Sequence, residues 1–102
     1  MKAKVSFIIF FTISCFQLPG IPSAQLIKNN FIHDGKTRLY SIYIPKNYKS
    51  DSPLPLVLNI HCWLKDYFHQ MNYSEMNNVA DEKGFFVAYP NAIGGKWNSG
   101  TP

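Results

Sequence analysis

The most regular pattern in the chain is an alternation of apolar and polar positions across residues 27–45, interrupted by Asp34-Gly35. Asp and Gly tolerate the positive φ angles of a type I′ turn, so this pattern predicts a β-hairpin. In its second strand, Tyr40, Ile42 and Ile44 share one face at a period of two residues. Pro45 is expected to end the strand because proline cannot donate to the ladder.

Two short apolar runs follow the hairpin, at residues 56–60 and 85–89, with a helical pattern at 73–83 between them. Runs of this kind are typical of strands buried on both faces of a parallel sheet. Together the three segments predict a βαβ unit with a right-handed crossover. A parallel sheet needs helices on both faces, and this chain supplies one clear helix. The predicted fold class is therefore α/β, as the opening part of a larger domain.

The helix is predicted as one continuous element. Met76, Val79 and Ala80 form an apolar stripe at i, i+3 and i+4. Asn72 is the expected N-cap, with Glu75 at the third helical position as in a capping box. Gly84 follows the last turn and is a favourable C-terminal stop.

The beginning of the chain has the pattern of a secretory signal peptide. Two lysines precede an apolar run at residues 5–13, and the small residues Ser23 and Ala24 offer a cleavage site. A membrane span needs about 20 apolar residues, roughly twice the length of this run. We therefore expect residues 1–24 to be removed, leaving 25–102 as one secreted domain with no membrane attachment.

Removal of that segment changes the charge and the cysteine content. Ten basic residues become eight against six acidic ones, so the net charge falls from +4 to +2. The remaining cations are scattered, whereas a nucleic-acid footprint would need a basic stripe. Cys15 leaves with the signal, so Cys62 has no partner for an internal disulfide. Small secreted domains usually depend on such bridges, so we expect marginal stability for this domain alone.

His61 is the first candidate for chemistry, because it follows a predicted strand at the edge where α/β proteins place their sites. The alternative is that His61 bonds the backbone and closes the strand, and spacing alone favours this. The other histidines, His33 and His69, stand at unrelated spacings, so no metal or other cofactor is expected. Cys62 adjoins His61 and is expected to be a buried or half-buried free thiol.

Two further motifs have competing interpretations. Asn72-Tyr73-Ser74 is a glycosylation sequon in an exported chain, but the favoured interpretation is that Asn72 caps the helix. Trp97, followed by Asn98, could form a sugar or ester platform, but anchoring a loop in the core is commoner. The sequence contains no Gly-x-Ser-x-Gly elbow, phosphate loop or dinucleotide fingerprint.

A series of segments nevertheless resembles one family in order and spacing across nearly all of the mature chain. The segments are Phe31–Tyr40, Ile44-Pro45, Pro53–His61, Met71–Tyr73, Ala80–Phe85, Val87–Asn91 and Trp97-Asn98. They resemble secreted polyhydroxybutyrate depolymerase-type esterases and the related feruloyl and acetylxylan esterases. The resemblance implies an α/β-hydrolase fold and a serine ester hydrolase that uses no metal. It also implies as substrate a polyhydroxyalkanoate or a plant cell-wall ester.

The same resemblance makes His61, Cys62 and Trp63 candidates for the loop that donates backbone N–H groups to the oxyanion hole. It places the nucleophile, acid and catalytic histidine beyond Trp97, so the chain is expected to be an N-terminal fragment without its triad. Cys62 departs from the family's His-Gly pair, and glycine permits a closer approach than cysteine. The alternative interpretations are a small secreted binding protein without catalysis, or the product of a pseudogene.

Overall fold

The computed structural model describes residues 24–99. The signal peptide predicted for residues 1–24 lies outside this range except for Ala24. The described elements are the strands β1 (Gln25–His33), β2 (Lys36–Ile44), β3 (Leu56–Leu58) and β4 (Phe86–Pro90), the helices α1 (Tyr67–Ser74) and α2 (Met76–Lys83), and a 3-10 turn (Ile93–Gly95). The strands form one mixed sheet in the order β1-β2-β4-β3. No helix among residues 24–99 is long and apolar enough to cross a bilayer.

The predicted hairpin is confirmed. β1 and β2 are antiparallel, in a register that runs from Gln25 opposite Ile44 to His33 opposite Lys36. Asp34 and Gly35 connect them with φ angles of 55° and 69°. Both angles are positive, as a type I′ turn requires, and this turn matches the twist of the strands it joins.

The predicted βαβ unit is also confirmed, since β3 and β4 are parallel with Val57 opposite Val87. β4 lies in the middle of the sheet and pairs on its other side with β2. Its residues Val87 and Tyr89 are buried, as the apolar run predicts. β4 therefore links the hairpin to the parallel unit and forms the centre of the small core.

The expected burial of β3 on both faces is wrong. β3 is an edge strand three residues long, and its Leu56 and Leu58 are 57% and 64% exposed. An apolar run indicates that a strand is buried on both faces in a complete sheet that helices cover. Leu56 and Leu58 lie on the same face of β3, and no part of residues 24–99 covers that face enough to bury them.

The prediction of one helix from residue 73 to 83 is wrong, and so is Asn72 as its N-cap. The first helix begins earlier, with the Asp66 side chain capping it by accepting a 2.7 Å hydrogen bond from the N–H of His69. Asn72 lies inside α1 and donates its side-chain amide to the carbonyl of Phe68. Aspartate is a strong N-cap residue, so Asp66 is the signal in the sequence for the start of this helix.

Glu75 separates the two helices by adopting a left-handed conformation, with φ of 52°. The hydroxyl of the preceding Ser74 accepts hydrogen bonds from the Met76 N–H at 3.3 Å and from the Asn59 side chain at 2.9 Å. Serine side chains that bond nearby backbone compete with helix continuation. After the break, α2 ends at Gly84 as predicted, where the glycine N–H bonds the carbonyl of Ala80.

The core is formed by Ala80, Val87 and Tyr89, and the partly buried side chains around it are Tyr43, Tyr67, Met71, Met76 and Phe85. Val79, expected in the same apolar stripe as Ala80, is exposed. Burial raises the pKa of Tyr89, whose phenol donates a 2.7 Å hydrogen bond to Asn77. A core of this size is consistent with the marginal stability expected for the chain.

A hydrogen-bonded contact ties β2 to α2. The Tyr43 hydroxyl donates to the carboxylate of Asp81 at 2.9–3.0 Å, and the Lys46 N–H donates to the same carboxylate at 2.8 Å. Burial and then Asp81, by hydrogen bond and charge, raise the pKa of Tyr43 to about 12. The phenol is therefore held in its neutral form to higher pH in the folded chain than in the unfolded one.

This contact predicts a pH dependence at the alkaline end. Because the pKa of Tyr43 is raised from 10 to about 12, the stability that it contributes is fully present below pH 10 and is lost as the pH rises through 12. A spectrophotometric titration of the tyrosines should show a late step that loses the amplitude of one tyrosine in Tyr43→Phe. Asp81→Asn should move that step only partly toward pH 10, because burial remains; an unmoved step would contradict the assignment.

Candidate functional site: a loop at the carboxyl end of the parallel strands

The three candidates His61, Cys62 and Trp63 lie in the loop that follows β3. Because β3 and β4 are parallel, their carboxyl ends meet at one edge of the sheet. The Asn59 N–H extends this contact by donating a 2.9 Å hydrogen bond to Ala88 of β4. The loop after β3 therefore lies beside the segment after β4, which carries Trp97. This is the edge at which ligands bind in open α/β sheets.

His61 holds these two segments together from a buried position, with 2% of its surface exposed. Its Nε2 accepts a 3.0 Å hydrogen bond from the N–H of Ala92. Its Nδ1 lies 2.8 Å from the carbonyl oxygen of Cys62, which can only accept, so the network assigns the proton to Nδ1. The prediction that His61 bonds backbone is confirmed. With both ring nitrogens occupied, the imidazole is not available as a general base.

Trp97 adds a second connection. Its Nε1 donates a 2.8 Å hydrogen bond to the carbonyl of His61, and the two rings are 4.9 Å apart between centroids. The interpretation of Trp97 as a loop anchor is confirmed, although its side chain is 37% exposed rather than in the core. The anchor fixes both the backbone and the ring of His61.

Gly95 allows the backbones of the two segments to approach closely. The Leu64 N–H donates to the carbonyl of Gly95 at 2.8 Å. A Cβ atom at position 95 would lie 3.2 Å from the Cα of Leu64, and φ there is +74°. The sequence gives no signal of this contact, because Leu64 is distant from Gly95 in the sequence.

Cys62 and Trp63 lie on the outside of this loop. Cys62 is a free thiol, but it is exposed, so the expectation of a buried or half-buried side chain is wrong. Trp63 is exposed too, with the Lys96 ammonium 5.8 Å from its ring centroid. Within residues 24–99, the N–H groups of Cys62 and Trp63 form no backbone hydrogen bond, whereas that of Lys65 bonds the carbonyl of Cys62. Unpaired N–H groups are the donors that an oxyanion hole requires.

The three histidines are not brought together. His61 bonds the backbone, His69 stacks on Tyr73 along α1, and His33 lies at the end of the hairpin. Within the described part of the chain, no three His, Cys, Asp or Glu side chains are grouped as metal ligands would be.

Comparison with solved structures defines the class of fold. The chain is similar to S-formylglutathione hydrolase from Staphylococcus aureus (22% identity, TM-score 0.58, 69% of this chain and 31% of that one). It is similar to a ferulic acid esterase (13%, TM-score 0.61, 72% and 31%). It is also similar to fluorophosphonate-binding serine hydrolase F of Staphylococcus aureus (22%, TM-score 0.57, 69% and 31%). No family model matches the sequence, and no curated protein matches it significantly.

These similarities show that the chain has the fold of part of an α/β-hydrolase, as the sequence predicts. It spans about a third of the length of the serine hydrolases that it matches. The described serines do not form a nucleophilic site with His61. Ser41 is buried in β2, and the Ser74 hydroxyl accepts hydrogen bonds from Asn59 and Met76.

Proposed function

We propose that this chain is the oxyanion-loop portion of a secreted carboxylic ester hydrolase and is inactive by itself. The substrate class proposed is the ester of a polyhydroxyalkanoate or of the plant cell wall, as in the polyhydroxybutyrate depolymerase-type and feruloyl esterases. The fold similarity to serine hydrolases supports the ester chemistry. The segment resemblance supports the narrower family, and the signal-peptide pattern supports export.

The observation that carries this proposal is the fixed loop after β3. His61, Trp97 and Gly95 hold its backbone against the segment after β4. The N–H groups of Cys62 and Trp63 are thereby left at the carboxyl edge of the parallel strands. Donors that are held in place before the reaction stabilise an oxyanion more than mobile donors do. We assign His61 and Trp97 to positioning, and the N–H groups to binding of the carbonyl oxygen.

In such a reaction the substrate carbonyl oxygen would accept hydrogen bonds from this loop as negative charge develops on it. Each lost donor of this kind typically reduces kcat by about 10²–10³. Attack on the carbonyl carbon needs a nucleophile and a base, and His61 cannot be the base because Ala92 donates to its Nε2. The chain therefore supplies charge stabilisation without the groups that form and break the ester bond.

This division of roles predicts that the purified product of the 102-residue chain, with its signal peptide removed, will not hydrolyse p-nitrophenyl acetate above the buffer rate. A fluorophosphonate probe should likewise label no serine in it. The controls are the same chain unfolded in urea and the His61→Ala variant, which should give equal background. Turnover that disappears on unfolding, or stoichiometric labelling of one serine, would show that the chain has its own active site.

A further inference from the structure

A groove of about 730 Å³ lies beside the candidate loop, between the hairpin and the segment after β4. Tyr40 of β2 is opposite Pro90 of β4, so the turn end of the hairpin lies at the carboxyl end of β4. Trp97, which bonds His61, also lines the groove. The groove thus shares a wall with the candidate functional site.

The lining of the groove combines cations with flat rings. Lys36, Arg38 and Lys96 contribute three formal positive charges, and no Asp or Glu among residues 24–99 lines the groove. Phe31, Tyr40 and Trp97 are the aromatic residues of the lining. The rings of Phe31 and Tyr40 are in contact, with centroids 6.0 Å apart. Cations without a local carboxylate favour an anion, and aromatic faces favour a flat partner.

Among the residues that line the groove, Arg38 gives the strongest indication of a bound anion. Its Nε is buried and has no hydrogen-bond partner among residues 24–99. A buried donor without a partner is costly, so such groups in proteins usually have a function or an absent partner. The guanidinium presents its donors in a planar fork that matches a carboxylate. The Lys96 ammonium lies 5.8 Å from the ring centroid of Trp63, and this cation–π contact does not neutralise its positive charge.

We infer that this groove binds a carboxylate carried on a ring, with Arg38 bonding the carboxylate and the aromatic side chains packing against the ring. Aromatic acids and uronic-acid sugars share this chemistry. If the proposed esterase function holds, this carboxylate belongs to the part of the substrate that does not react. The binding itself does not depend on that function, so it can be measured without any hydrolysis.

The test uses the 102-residue chain with Trp63→Phe, which leaves Trp97 in the groove as the one tryptophan. Its fluorescence is titrated with benzoate against benzamide, and with glucuronate against methyl glucoside. We expect at least one acid to bind about tenfold more tightly than its neutral counterpart, because only the acid accepts charge-assisted hydrogen bonds from Arg38. The acid that binds identifies the kind of ring.

Arg38→Gln should weaken binding of that acid about tenfold, and Arg38→Lys should have an intermediate effect because it keeps the charge and loses the fork. Lys28→Gln is the matched control, since it removes one positive charge from the same hairpin outside the groove. It should change the Kd by less than about twofold at fixed ionic strength. Far-UV circular dichroism checks that each variant is folded.

If Arg38→Gln unfolds the chain, the comparison between Arg38→Lys and Lys28→Gln decides instead. Equal affinity of acids and neutral counterparts would overturn the inference, as would a Lys28→Gln effect as large as that of the Arg38 variants. A failure here would leave the esterase proposal standing, because that proposal is tested by turnover and labelling. Turnover by the chain alone would contradict the esterase proposal without affecting the binding result.

Discussion

His61→Ala should destabilise the chain by about 2–4 kcal/mol, from the combined loss of a buried ring and of its hydrogen bonds. The N–H of Ala92 and the carbonyl of Cys62 would both lose their side-chain partner, and Trp97 would lose the ring beside it. A chain of this size has roughly 5 kcal/mol to lose. Urea denaturation followed by circular dichroism should therefore show a much lower midpoint, or no folded baseline.

His33→Ala is the matched control for this change, since His33 is an exposed histidine on the hairpin. It should change the free energy of unfolding, measured by urea denaturation, by no more than about 0.5 kcal/mol. Amide hydrogen exchange adds a local measurement, because protection at Ala92 should fall in His61→Ala more than protection in β2. Equal stability of the two alanine variants would show that His61 does not hold the two segments together.

The chain should associate with itself through the outer edge of β3, and Leu58→Lys should make it monomeric. Leu56 and Leu58 are exposed, and no strand among residues 24–99 pairs with that edge. An apolar edge strand offers unpaired backbone groups and buried area to a second copy, and a lysine there opposes pairing. Sedimentation velocity should show a concentration-dependent increase in mass for the unmodified chain and none for the variant.

The opposite edge of the sheet supplies the control. β1 is also an edge strand, but its middle carries Lys28, Asn29 and Asn30, which disfavour pairing. Ile32→Lys, on that strand, should leave the association unchanged. Dissociation by Ile32→Lys and not by Leu58→Lys would place the contact at β1 instead. Such a result would also bear on the groove, because Phe31 and His33 of β1 belong to its lining.

The elements that can be predicted from the sequence are those whose signals are local. The Asp34-Gly35 turn and the apolar run of β4 each reflect a constraint within a few residues, and both are present. The helix break at Glu75 was missed because the competing bonds of Ser74 involve Asn59, fifteen residues away in sequence. The exposure of β3 was missed because an apolar run encodes burial but not which elements provide it.

In the candidate site, too, the features with local signals could be predicted and those that depend on distant contacts could not. His61 was identified from its place after a strand, and its backbone role was the favoured interpretation. Its partner Ala92, the contact between Gly95 and Leu64, and the exposure of Cys62 depend on how two loops meet. The cations of the groove lie on β2 and on the segment after β4, so no charge cluster is visible in the sequence.

We propose that this chain forms the oxyanion-loop part of an ester hydrolase. The most direct test is to sequence the transcript that encodes it beyond codon 102. We expect hydrolase-like coding sequence there, in frame or behind a stop, containing a Gly-x-Ser-x-Gly elbow followed by an acid and a histidine. A stop codon followed only by sequence without hydrolase-like coding would contradict it, and the chain would then have to be explained as a complete protein.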